Sequence, residues 1–151
     1  MQHHLVVVQP RFLRRLLDGS KTVEVRLTRY RQAPFAAVHR GDHLWFKQVA
    51  GPVLLTASVA KASFIHPLTV ELLRKLRADH GTQIQADYEF FNAHTHARYA
   101  TLIRIIRVKR IAPLRIVKRD RRSWVVLDAP PRAGCHVRRG RPLKPARRRC
   151  G

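Results

Sequence analysis

The sequence predicts an α+β fold: a small, mostly antiparallel β-barrel of about six strands, with two or three flanking helices and a disordered basic C-terminal tail. Three observations lead there. Apolar residues make up 45% of a 151-residue chain, enough for one packed core. The strand-like runs follow one another with little regular βαβ alternation, which disfavours a parallel sheet. Residues 132–151 carry eight Lys or Arg, no acid and no apolar period, so the chain divides into a domain over 1–131 and a basic arm over 132–151.

Each element has its own signal. The short apolar run LVVV at 5–8 reads as a buried strand. Gln9-Pro10 opens a helix that puts Phe12, Leu13, Leu16 and Leu17 on one face and Arg11, Arg14 and Arg15 on the other. Gly19 suits the residue after a helix, and TVEVRL follows as an alternating strand. A long loop over 28–42 contains Pro34 and the turn Arg40-Gly41-Asp42. HLWFK at 43–47 and VLLTASVAKASFI at 53–65 are strands separated by Gly51-Pro52. His66-Pro67 ends the second of them, and Thr69 caps the helix VELLRKLRADH. A further helix is expected over 85–94 and a long strand over 100–111. PLRIVKRDRR is a basic loop or edge, and SWVVL at 123–127 is the last strand.

The net charge of +22 is the strongest global signal, and +14 of it remains on residues 1–131. Such a field attracts polyanions, nucleic acid first among them. No apolar run approaches the roughly 18 residues needed to cross a bilayer, and no long basic amphipathic helix appears. The apolar stretch near the start is too short for a signal peptide, so a cytoplasmic location without a membrane partner is expected. Cys135 and Cys150 lie in the tail without metal spacing, and no cofactor is implied.

The stretch LLDGSKTVEVRL at 16–27 poses the functional question. If Val23, Val25 and Leu27 face the core, Glu24 and Arg26 share the opposite, polar face, with Lys21 at its entrance. On such an exposed face these ions would contribute little to stability. Functionally, Glu24 would hold two cations towards a ligand, Arg26 gripping a phosphate or carbonyl with its rigid fork. Lys21, once desolvated, could act as base or nucleophile.

Gly19-x-Lys21-x-x-Glu24-x-Arg26 resembles the GxKxxExR signature of the ASCH domain family. RGDHLWFK at 40–47 is similar to the family's GD turn and following strand, and DYEFFNAHTHARYATLIRI at 87–105 to a late helix-to-strand passage. SWVVL resembles the closing strand of a bacterial, single-domain subgroup. The resemblance covers residues 5–127. It implies a PUA-like barrel with a cleft beside the signature residues, and RNA or a nucleoside as partner. Members are mostly proposed to bind RNA; some are amidohydrolases of N4-acylated cytidine, and others are reported as ribonucleases. The amidohydrolase members carry Lys at the position of Lys21 and Thr where Glu24 stands, together with a later Glu. A carboxylate does not replace a hydroxyl nucleophile. Glu71, Asp87 and Glu89 are candidates for the later acid.

Other candidates follow from residue type. Trp45 and Lys47 share one face of their strand, an aromatic–cation pair suited to a base and its phosphate, although core packing competes for the ring. Arg98 and Tyr99 begin a strand at the expected cleft rim, and Tyr30 has the same ambiguity as Tyr99. His94 and His96 have a spacing a metal could use but no third ligand in view, so no metal is expected. The basic segment 104–122 carries nine Lys or Arg against one Asp, as an edge strand or a backbone-tracking groove would. The favoured function is RNA or single-stranded nucleic-acid binding. The alternatives are a hydrolase, with Lys21 and Glu24 catalytic, and an interaction adaptor.

Overall fold

A computed structural model describes residues 1–137; the remainder of the basic arm, 138–151, lies outside the described residues. The order is β1 (His3–Val8), α1 (Pro10–Leu17), β2 (Val23–Thr28), β3 (His43–Gln48), β4 (Val53–Ile65), α2 (Val70–Ile84), α3 (Tyr88–Asn92), β5 (Tyr99–Leu114), β6 (Val117–Lys118), β7 (Trp124–Leu127) and β8 (His136–Val137). Six strands form one sheet in the order β2-β5-β4-β3-β1-β7. Only β1 and β3 pair in parallel within it; the other pairs are antiparallel.

The sheet curls so that its two edge strands, β2 and β7, approach each other. Val6, Leu44, Phe46, Leu55, Val59, Ile103 and Trp124 fill the inside, and Leu13 and Leu16 of α1 close one end. The outer face splits in two. Under α2 and α3, Val23, Val25 and Leu27 meet Leu73, Leu76, Ile84 and Phe91. At the other edge Leu5, Val125 and Leu127 are covered by Val53, Trp45 and Val137.

Several elements differ from the sequence expectation for identifiable reasons. Helix α2 runs on to Ile84, where Gln85 adopts a left-handed conformation with φ 57 and stops it. The Asp87 side chain then accepts from Phe90 N and caps a helix of five residues instead of the ten expected. On β5, Ile106 and Lys109 pair with Ser58 and Thr56, leaving a bulge that includes Arg107 at φ 56. The bulge changes the side-chain parity, so Arg104, Arg107, Lys109 and Arg110 all remain exposed on a strand that also buries Ile103 and Ile105. The first residues of the stretch read as an arm, 132–137, contact the domain. Val117 N bonds Cys135 O, Gly134 N bonds Arg115 O, and Val137 is fully buried, so the packed chain continues to that residue.

A buried polar cluster ties β1 to the loop before β3. His4 Nε2 lies 2.9 Å from Asp42 Oδ2, and Trp124 Nε1 donates to His4 Nδ1 at 3.1 Å. An indole nitrogen only donates, so His4 carries its proton on Nε2 and donates it to Asp42. Asp42 also accepts from Gln2 N and His39 N, both at 2.9 Å. Burial pushes the His4 imidazole below its ordinary pKa, against the pull of Asp42. Burial works against ionisation of Asp42, but its bonds from Gln2, His4 and His39 prevail and hold the carboxyl below its usual range.

The sign of the pH dependence follows. Below about pH 6.5, the ordinary imidazole value, the unfolded chain takes up a proton that folded His4 refuses, so stability falls as pH drops through that window. The Asp42 contribution is present above about pH 3.8 and is lost as pH falls through its lower folded value. Urea midpoints are expected to fall from pH 7 to pH 5, and Asp42→Asn, which turns a donor towards other donors, to cost on the order of 3 kcal/mol. An unchanged midpoint in that variant would show that the cluster does not support the fold.

Candidate nucleic-acid interface

The signature residues sit on β2, which runs along the open edge of the sheet. Val23, Val25 and Leu27 point out under α2, so Glu24 and Arg26 point in. Glu24 is opposite Ile103 and Arg26 opposite Thr101, both buried. The expected parity is therefore correct, but the expected exposure is not. Lys21 is 4% exposed, enclosed by the end of α2 and the Phe12 ring, and Glu24 is 6% exposed between Lys21 and Arg26.

All three charges are committed to protein partners. Lys21 Nζ donates to Ile84 O at 2.6 Å and to Val23 O at 2.9 Å. Ile84 closes α2, so a cation meets the negative end of a helix dipole. Lys21 Nζ is also 3.4 Å from Glu24 Oε2, and Arg26 Nε is 3.1 Å from Glu24 Oε1. Neither carboxylate contact has hydrogen-bond alignment, so the attraction there is mainly coulombic. The Arg26 guanidinium reaches across the sheet opening, donating to Ser123 Oγ at 2.8 Å and to Val7 O at 3.0 Å, and lies 5.5 Å from the centre of the Trp124 ring. Lys21 also lies 5.3 Å from the centre of the Phe12 ring.

The remaining candidates divide. Arg98 and Tyr99 stay near the signature: Tyr99 pairs with Thr28, on the same inner face as Arg26. Tyr99 belongs to an aromatic shelf that the sequence reading did not assemble. Its ring stacks on His66 at 4.0 Å and 5°, while Phe35 meets Tyr99 at 4.9 Å and Phe64 at 5.4 Å, edge to face. Arg31 lies 5.3 Å from the centre of the Phe35 ring. His66 and Arg98 are exposed, as are Arg29 and Tyr30, which lie 5.6 Å apart as a cation–ring pair. The spacing Phe64-x-His66 at a strand end was the available signal; the register that brings Tyr99 opposite was not.

Trp45 and Lys47 do not join this group. Their side of β3 is the outer one, where Trp45 packs with Leu5, Val125 and Leu127 and donates to His3 Nδ1 at 3.2 Å. Of the candidate acids, Asp87 caps α3 and pairs with Arg11 at 3.2 Å, while Glu71 and Glu89 are exposed on the first turns of α2 and α3. His94 Nδ1 bonds Phe90 O at 2.6 Å. No cluster of three His, Cys, Asp or Glu suited to a metal occurs among the described residues, and no helix there is long and apolar enough to cross a membrane.

No protein-family model and no curated protein matches the sequence. Solved structures do resemble it. An ASCH protein from Zymomonas mobilis has a TM-score of 0.59 at 17% identity, over 74% of this chain and 71% of that one. A Tyr-to-Phe variant of it reaches 0.60 at 16% identity, over 76% of both chains. A Ser-to-Ala variant gives 0.57 at 16%, over 74% and 72%. The fold is that of an ASCH domain. Within this ASCH fold the strip Lys21–Glu24–Arg26 is an internal ionic clasp between the edge strand, the end of α2 and the opposite edge of the sheet.

Removing one member of a buried ion set leaves the others uncompensated. Glu24→Ala is therefore expected to cost about 3–5 kcal/mol, and Arg26→Ala somewhat less because Arg26 retains some exposure. For a chain of this size Glu24→Ala should lower Tm by roughly 10 °C. A calorimetric midpoint within about 2 °C of the parent would show that the strip is not structural.

Proposed function

We propose that this ASCH domain binds single-stranded RNA, with bases stacking on the shelf and the surrounding arginines contacting phosphates. The observation that carries the reading is the juxtaposition of the stacked His66–Tyr99 pair and the Phe35–Phe64 pair with Arg29, Arg31 and Arg98. Aromatic faces accept any base, and guanidinium groups track a backbone; together they are the usual elements of single-strand recognition. The net charge of +22 adds attraction that does not depend on sequence. The resemblance in the signature and the shared ASCH fold point to the same ligand class.

The hydrolase reading finds less support. A general base needs a free lone pair within reach of its substrate, whereas Lys21 is buried against two carbonyls and a carboxylate. Glu24 is enclosed between two cations. Arg26 is the one member with partial exposure, and an arginine binds rather than transfers protons.

Fluorescence titration of a labelled oligouridine tests the proposal. Tyr99→Ala is expected to weaken binding by about 5- to 150-fold, the equivalent of losing one stacked base. Arg31→Ala should weaken it less and reduce the slope of log K against log salt by about one contact. Equal affinity in the parent and the Tyr99 variant would overturn the shelf as the binding surface. The same samples incubated with N4-acetylcytidine should yield no cytidine, and the oligouridine should remain uncut; turnover of either would favour the hydrolase.

A further inference from the structure

A second basic feature lies at the other end of the β4–β5 ribbon. Lys47, Arg115 and Lys118 line a cavity of about 200 Å³ together with Ala50, Gly51 and Ile116. Val53 pairs with Leu114 at this end, whereas Phe64 pairs with Thr101 at the shelf end. At about 3.3 Å per residue, the strand path between them is roughly 35 Å. The cavity has room for several waters, enough for a tetrahedral oxyanion but small for a drug-sized ligand.

Its charge is unbalanced. Three of the six lining residues are cations and none is an acid. The nearest carboxylate, Asp120, is already held by Arg122 through contacts of 2.7–3.2 Å, which keeps its pKa at about 2. Lys47 Nζ bonds only a carbonyl, that of Gln48, and Lys118 Nζ bonds the carbonyl of Asp120. Burial lowers the pKa of both lysines, and each further cation raises the cost of the set: Lys47 and Arg122 also push Lys118 down, while Asp120 partly offsets them. Two partly desolvated ammonium groups and a guanidinium on one cavity wall favour an anion between them.

The geometry points to a phosphate-binding site formed by Lys47, Arg115 and Lys118, separate from the aromatic shelf. Phosphate fits because its oxygens accept from a guanidinium fork and two ammonium groups at once. The group is either inorganic phosphate or the terminal phosphate of an oligonucleotide.

Isotope-labelled full-length chain, titrated at constant ionic strength, distinguishes these sources. The probes are inorganic phosphate, an oligouridine with a 5′-phosphate and the same oligomer without it, and the readout is the backbone amides of Gly51, Arg115 and Lys118. Saturable shifts with inorganic phosphate assign a free-ion site; saturation only with the 5′-phosphorylated oligomer assigns a nucleic-acid end. The double variant Lys47→Gln, Lys118→Gln is expected to weaken the bound probe at least tenfold, and Arg115→Gln, an exposed position, provides the same test if the double variant does not fold. Tyr99→Ala should leave inorganic phosphate binding unchanged, so the shelf can fail without this site failing, and the reverse. Shifts that do not saturate at these amides with any probe, or equal affinity in the variants, would overturn the site.

Discussion

One carboxylate organises the middle of this molecule. Glu24 faces inward on an edge strand and has a cation on each side, Lys21 at 3.4 Å and Arg26 at 3.1 Å. Each cation continues to a different part of the fold: Lys21 to the carbonyl that ends α2, Arg26 to Val7 and Ser123 across the opening. A sheet whose edges are not paired to each other needs some other closure. Here the closure is made by side chains, and it fixes the curl that encloses the core. It leads on through the Trp124 ring to His4 and Asp42, so that a nearly continuous polar line crosses an otherwise apolar interior. A buried line of this kind adds little net stability over apolar packing, but breaking it in one place is costly.

The external charge follows another logic. Arg104, Arg107, Lys109 and Arg110 are exposed along β5, Arg31 lies over Phe35 of the shelf, and Arg29 and Arg98 are exposed beside the strand ends that carry it. These groups remain hydrated, so each adds little strain to the folded state while together they make a field that draws in anions. Discrimination needs more than a field. The shelf offers ring faces, and the cavity of Lys47 and Lys118 offers partly buried charges, each more demanding of a partner than a hydrated one. The two places differ in chemistry: flat, uncharged surfaces in one, a compact cationic wall in the other.

Most of the fold was legible because strand and helix signals are local. The run 53–65 appears as β4 with the expected bounds, and Thr69 caps α2 as its position before the helix suggested. The parity of β2 was legible for the same reason. The burial of Glu24 was not, since it depends on Lys21 and Arg26 enclosing the carboxylate, and a charged residue in an alternating strand reads as solvated by default. Lys47 shows the complementary failure: its side of β3 was readable from Phe46 in the core, but whether that side meets the signature is a matter of sheet order. The packing of Val137 was not legible, because a single apolar residue next to arginines is too short a signal for a two-residue strand. The shelf depends on contacts between residues distant in sequence, Phe64 with Thr101 in the sheet and His66 with Tyr99 in the stack, which no local pattern encodes.

The identity of residue 24 also decides how accessible this strip is. The resemblance implies a Thr at this position in the amidohydrolase members of the family. A hydroxyl carries no charge, so it would leave a neighbouring cation without a counter-ion. A glutamate supplies one permanently. Lys21 and Arg26 share the one carboxylate of Glu24, and Arg26 is further engaged with Val7 and Ser123. What remains open to a ligand is the surface beside the clasp, where Tyr99 and Phe64 continue the same inner face beyond Arg26 towards solvent. An acid at this one position thus ties two cations into a structural support and leaves the more accessible groups, Phe64, His66 and Arg98, outside it.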